Sequence, residues 1–355
     1  MVSPKLAYIL GTIGMIVSPS IVDAQSAHTH HGLTAIKGIA VGHHTLKDRP
    51  TGCTVVLTEG GATAAVDVRG SAPGTRETDL LDPSKTVQKV HAIVLAGGSA
   101  FGLAVADGVM RYLSERNVGY ETRAARVPIV PAAILYDLGV GNDPSIRPTA
   151  ECGYLAATIA SRNPVAEGSV GAGAGATVGK IGGSRGRPMK GGIGSAVFDL
   201  EGGIRVAALI AVNAVGDIVD PDTGAIVAGV RTADGREFAD ARTLLRMPNL
   251  NKAQIGQNTT IGVVATNAIL DKAQLTFVAR SAQDGLARAL RPAHTPVDGD
   301  TIFAVATGAV PGQVNLLQLG ALAADVTSEA ILRAVRAATG LPGYPSVRDF
   351  QGGVR

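Results

Sequence analysis

Charge is scarce in this sequence. Charged residues make up 17% of the 355 positions and hydrophobic residues 46%, whereas an ordinary soluble domain is about 25% charged. Such a chain has ample material for a large core, which excludes disorder and a coiled coil. There is no Gly-X-Y period, so the 46 glycines exclude collagen and point instead to tight turns and closely packed backbones. No basic stripe exists: Lys plus Arg is 32, Asp plus Glu is 29 and the net charge is +3. A run of phosphates therefore finds no complement, and nucleic acid is not expected as a partner. Cysteines are few, only Cys53 and Cys152. They lie far apart in a chain large enough to fold without a staple, so a bridge between them is the less expected arrangement. No internal repeat stands out, and the length permits one large domain or two modest ones.

Long apolar runs are also missing. The longest at the start, Leu6 to Val17 after Lys5, falls short of the roughly 20 residues that cross a bilayer. It is followed by Ser18-Pro19-Ser20 and then Val22-Asp23-Ala24, the small-residue pattern of a signal-peptidase site. Residues 1–24 read as a signal peptide, so the mature protein starts near Gln25, is periplasmic or secreted, and has no membrane association once the signal is removed. His28, His30 and His31 follow directly and read as a flexible end, not an ordered metal site.

What is present alternates between strand and helix signals. Residues 51–68 read as two short strands joined by a Gly-Gly turn, and Val90 to Ala96 as a third. Ser99 is expected to cap a helix running to about Asn117, with Leu103, Val109, Met110 and Leu113 at helical spacing. A second helix is expected from Ala150 to Ser161 and a buried strand from Arg205 to Asn213. From Arg231 to Gln257 charges crowd in and periodicity fades, which reads as a surface connector. At Thr259 a β-branched run begins, so the Asn258 to Thr259 junction is a loop-to-strand boundary. Asp271 with Gln274 opens a further helix, Thr301 to Thr307 is a strand, and a last helix runs from about Leu319 to Ala338. Composition alone supports a mixed α and β layered domain.

Several motifs nearly match and fail. Gly171 to Lys180 suggests a phosphate loop, but Ala174 and Ile181 stand where a Walker loop needs Gly and Ser or Thr. Gly97 to Gly102 suggests a nucleophile elbow, but Phe101 occupies the second glycine's place. Asn258-Thr259-Thr260 fits a glycosylation acceptor, a pattern too short to carry weight.

Eight ordered passages together carry a more specific signal. They are Gly32 to Gly42, Asp67 to Asp79, Leu95 to Leu103, Pro131 to Asp137, Gly171 to Lys180, Ala211 to Asp217, Asn258 to Gly262 and Asp298-Gly299-Asp300. In these the chain resembles the L-aminopeptidase/D-esterase family, which also includes β-peptidyl aminopeptidases and nylon-oligomer hydrolases. The resemblance implies a four-layer αββα sandwich of the N-terminal-nucleophile type, cleaved into two chains that stay together. It implies that cleavage falls between Asn258 and Thr259, giving a large chain 25–258 and a small chain 259–355 of one domain. It further implies a homo-oligomer of processed pairs, with no cofactor.

The chemistry behind that implication is elementary. A threonine hydroxyl is a poor nucleophile until a base takes its proton, and an α-amine with a pKa of about 7.7 to 8.0 is such a base near neutrality. Only a chain terminus supplies one, so self-cleavage before Thr259 makes the enzyme's own base. The resemblance assigns Asn213 as oxyanion donor, Tyr136 as a second donor or substrate-positioning group, and Lys180 as a charge near the nucleophile. Asp298 and Asp300 are assigned between orienting the new ammonium and assisting cleavage. Read without the family, Asn213 is an ordinary strand end, Tyr136 core packing, Lys180 a solvated surface lysine and the aspartates a turn. The activity implied is hydrolysis of short peptides, amino-acid amides or esters. An acyltransferase with the same nucleophile, like the ornithine acetyltransferases, and a non-catalytic binding protein are the alternatives.

Overall fold

The computed structural model of the protein describes residues 31–182, 186–248 and 258–352, besides Met1. The expected signal peptide 1–24, His28 and His30 lie outside the described residues. Nine strands form the main sheet: β1 (Ala40–Thr45), β2 (Gly52–Val68), β3 (Thr75–Arg76), β4 (Lys89–Ala96), β5 (Ala132–Ile134), β6 (Gly192–Asp199), β7 (Arg205–Val212), β8 (Ile261–Ala268) and β9 (Thr301–Val310). Their order is β6-β7-β8-β9-β2-β4-β5-β3, with β1 against β2. Only β8 with β9 and β4 with β5 pair in parallel within it.

The two arms expected over residues 51–68 are one strand, a correction with a plain cause. The first half of β2 pairs with β1 and β4, and the second half pairs with β9. The register shifts between Leu57 and Ala62, so Gly60 and Gly61 sit in a bulge that bends the strand without reversing it. Through this bend the sheet folds over on itself.

Alternation along the strands then builds four layers. Val56, Ile93, Leu95, Leu209, Val263, Ala265 and Phe303 share a core between the two halves of the sheet. The outer faces are covered separately. Val206, Ile210, Val264 and Ile302 pack under the helices α3 (Lys272–Ala289) and α4 (Leu316–Ala337). Val55, Ala92 and Val94 pack under α1 (Val105–Glu115) and α2 (Ala150–Thr158). A strand whose successive residues face two different cores reads as continuous hydrophobicity, as β8 does. The result is an αββα sandwich.

Helix ends follow their caps where the chemistry is local. Asp271 and Gln274 form a capping box at the start of α3. Asn315 accepts from the amides of Leu317 and Gln318, so α4 starts a turn earlier than its apolar periodicity suggests. Ser99 does not cap. It adopts φ 55° and opens a short 3-10 turn, Ser99–Ala104, that leads into α1, because Gly98 has already turned the chain in the left-handed region.

Two further expectations are corrected. Cys53 and Cys152 form a disulfide with Cα atoms 6.3 Å apart. Both face the apolar layer where β2 meets α2, a proximity that spacing in sequence does not reveal. The stretch after Arg231 is not wholly a surface connector, since Ala241 and Leu244 pack with Ile181, Val215 and Val230. Asp217 ties this piece down, accepting from Val230 N and Ala241 N at 2.7 Å each. The rest of the expected connector, 249–257, lies outside the described residues. Among the described residues no helix is long and apolar enough to cross a membrane.

Candidate active site

The predicted site residues converge at one end of the sandwich because the relevant strands begin or end there. β7 runs into Asn213, and β8 and β9 begin just after Thr259 and Asp300. Asn258 bridges Asp298 in parallel, so the junction and the Asp-Gly-Asp segment lie side by side. On the other half of the sheet, β5 leads into Tyr136 and Asp137.

Thr259 is buried, and its hydroxyl donates to the carbonyl oxygen of Asn258, the residue before it. The same carbonyl accepts the amide N–H of Gly299 at 3.1 Å. A donor on this oxygen withdraws electron density from the carbonyl carbon and would stabilise negative charge there. Thr259 N donates to the backbone oxygen of Asn213 at 3.0 Å. Glycine is required between the two aspartates, because a Cβ at Gly299 would stand 2.3 Å from the oxygen of Ala72. That contact explains part of the Asp67 to Asp79 passage: Ala72 N donates to Asp298 O at 2.9 Å and Arg69 N to Asp300 O at 2.7 Å.

Asn213 is fully buried. Its carboxamide nitrogen donates to the backbone oxygen of Tyr136 at 3.0 Å. Its side-chain oxygen accepts from Thr177 N at 3.0 Å and Lys180 Nζ at 2.7 Å. Lys180 Nζ also reaches Asn213 O at 3.1 Å, the oxygen that Thr259 N uses. The ammonium and the Thr259 nitrogen therefore share one acceptor. Lys180 is no solvated surface lysine: burial pulls its pKa down to about 7, against a smaller upward pull from Asp298 and Asp137. The Gly-rich segment permits this placement, since a Cβ at Gly175 would stand 2.6 Å from an Asp137 carboxylate oxygen.

The two aspartates sit one residue apart but differ in company. Asp300 accepts Thr260 N at 2.8 Å on one oxygen, and His294 N at 3.1 Å with His294 Nδ1 at 2.9 Å on the other. Asp298 accepts the backbone and hydroxyl of Thr295. Its pKa is pushed up to about 6, first by burial and then by Asp300. Burial is the largest single influence on His294 and lowers its pKa, but the hydrogen bond and charge of Asp300, with the Gln283 carbonyl, together outweigh it and raise the pKa.

Tyr136, Thr177, Lys180, Val140, Pro188 and Tyr344 line a cavity of about 170 Å³ beside these groups. Tyr136 thus faces space rather than core, and its backbone, not its phenol, meets Asn213. Asp137 behind it is buried with Arg49 and Thr51. A larger cavity of about 410 Å³ around Gly60 and Thr307 touches none of the site residues. Among the described residues no group of three or more His, Cys, Asp or Glu is placed to hold a metal ion. Sequence reasoning missed the Gly299 amide, Thr177, Thr295 and His294. Only Gly299 had a signal, its place between two carboxylates.

This fold is that of an Ntn hydrolase variant. The L-aminopeptidase D-Ala-esterase/amidase of Ochrobactrum anthropi, a member of that fold, superposes with a TM-score of 0.67 over 90% of this chain and 92% of its own, at 20% identity. A β-aminopeptidase of Burkholderia sp. gives 0.65 over 87% of both chains at 24% identity. The sequence narrows the class: the model of peptidase family S58 matches residues 31–348, and the chain belongs to that family. An uncharacterized aminopeptidase of Mycobacterium leprae is 45% identical over 348 residues, 89% of this chain and 93% of that protein. A 6-aminohexanoate-oligomer endohydrolase of Kocuria sp. is 32% identical over 316 residues, 84% of each. The protein is accordingly a member of a family of peptide and amide hydrolases.

Proposed function

We propose that the protein is a self-processing aminopeptidase or amidase that hydrolyses short peptides, amino-acid amides or esters through an acyl-enzyme on Thr259. The observation that carries this reading is the hydroxyl of Thr259 against the carbonyl of Asn258, on which the Gly299 amide also rests. In the first step the Thr259 oxygen bonds to the Asn258 carbonyl carbon, the peptide C–N bond breaks, and the hydroxyl proton ends on the departing nitrogen. Water then cleaves the ester, leaving an Asn258 carboxylate and a free Thr259 amine with its hydroxyl restored. Lys180, with a pKa near 7, can hold or release a proton at neutral pH. Its charge beside the new amine would favour the amine's neutral, basic form.

In turnover that amine takes the hydroxyl proton while the Thr259 oxygen bonds to the substrate carbonyl carbon, and passes it to the departing amine or alcohol as the substrate amide or ester bond breaks. Water then takes the acyl group as a carboxylic acid and restores the hydroxyl. Asn213 and the cavity-facing Tyr136 are the side chains we assign to the substrate oxyanion, with Asp298 and Asp300 fixing the terminus. The Cys53–Cys152 bridge supports an oxidising compartment, and with it export to the periplasm or beyond. Thr259→Ala is expected to give an uncleaved, inactive chain by intact mass and terminal sequencing. Cleavage before residue 259 in that variant would remove the mechanism.

A further inference from the structure

Beyond the active-site cavity, past Pro188 and Tyr344 which line both, lies an open cleft of about 670 Å³. Arg187 and Arg231 line it. They stand opposite each other in an antiparallel bridge, with Arg187 N to Arg231 O at 3.0 Å and Arg231 N to Arg187 O at 2.9 Å. Directly opposed residues point to the same face, and like charges so placed repel. Neither arginine has a carboxylate partner among the described residues. Arg231 is only 8% exposed. One terminal nitrogen reaches the carbonyls of Pro188 and Gly343 at 3.0 and 3.4 Å, while its buried Nε meets no acceptor. A buried guanidinium with an unmet donor beside a second guanidinium is suited to receive an anionic acceptor.

We infer that this cleft is a carboxylate subsite, in which Arg231 and Arg187 take the C-terminal carboxylate of a short peptide whose other end enters the active-site cavity. The planar fork of arginine suits a carboxylate. Asp349 also lines the cleft, its carboxylate accepting from Ser346 N and Oγ at 2.9 and 2.8 Å. That negative charge disfavours a multiply charged anion such as a polyphosphate more strongly than a single carboxylate. Burial, and after it Arg187, lowers the pKa of Arg231, the direction expected where a counter-anion is absent. The inference rests on the peptide-hydrolase reading and names the substrate class: short peptides with a free C-terminus over the same peptides amidated.

The test uses trialanine and trialanine amide on the purified wild-type protein. Both kcat/KM and calorimetric binding are measured, for the wild type, Arg231→Gln and Arg187→Gln. The exposed Arg187 keeps the test open if the buried Arg231 does not tolerate replacement. We expect the wild type to favour the acid over the amide by about tenfold, chiefly through KM, and each variant to bring that ratio near one. Equal treatment of acid and amide by the wild type overturns the subsite, as does a ratio unchanged in both variants. Acid-selective binding without any hydrolysis, lost in the variants, supports the subsite while removing the hydrolase reading.

Discussion

Two lysines flank the Gly-rich crossing and invite comparison, Lys190 fully buried and Lys180 half-buried. Lys180 and Lys190 are both pulled to a pKa of about 7 by burial. Lys190, with no exposed surface, donates to the carbonyls of Gly173, Ala176 and Gly191 at 2.8, 3.0 and 3.3 Å. Every one of these is backbone, so this ammonium holds loops together. Lys180 instead meets Asn213 by side chain and backbone, feels Asp298, and lines a cavity. A depressed lysine pKa alone therefore does not mark a reactive site. What separates the two is whether the partners are themselves beside the bond to be broken.

Replacing each lysine tests that separation. Lys190→Met should lose about 3 kcal/mol of stability, since the ammonium that ties three carbonyls together is removed from a dry interior, even though Gly173 O and Ala176 O keep the amides of Ala176 and Gly191. Whatever remains folded still cleaves itself. An unchanged melting temperature would erase the contrast. Lys180→Met should slow self-cleavage and turnover on the order of 100-fold, equivalent to about 2.7 kcal/mol in the barrier. Its stability at neutral pH should hold, because a costly buried charge is gone and Asn213 Oδ1 keeps Thr177 N. Loss of folding in place of loss of rate would put Lys180 in the same structural class as Lys190.

The fold was legible where the signal is local. The capping box at Asp271, the strand entry after Thr259 and the strand from Arg205 all follow from residues within a turn or a few positions of each other. What was not legible depends on residues remote in sequence. Whether Gly60-Gly61 reverses or bends the chain depends on β9 pairing with Thr63 to Val68, and the cysteine bridge depends on α2 crossing β2. The site divides likewise. Thr259, Asn213, Tyr136, Lys180, Asp298 and Asp300 were marked out by the family's ordered passages, and they do come together. The Gly299 amide and His294 escaped because a backbone donor has no residue identity and His294 belongs to none of those passages.

Asp298 carries the smallest effect and sharpens the lysine comparison most. Its pKa rises from 3.8 to about 6 on folding, so between those values the folded chain holds a proton that the unfolded chain has lost. Stability must then fall as pH rises from about 4 to 6 and stay level above, by on the order of 2 kcal/mol. Asp298→Asn carries no such loss. Against the wild type it should gain stability across that window and keep the gain at neutral pH, as read by denaturant unfolding at successive pH values. Lys180 lowers the Asp298 pKa and Lys190 is not among its causes. In Lys180→Met the window should therefore extend upward, and in Lys190→Met it should not move. A shift in both variants would mean that Asp298 responds to burial in general, and the two lysines would no longer be distinguishable by what they face.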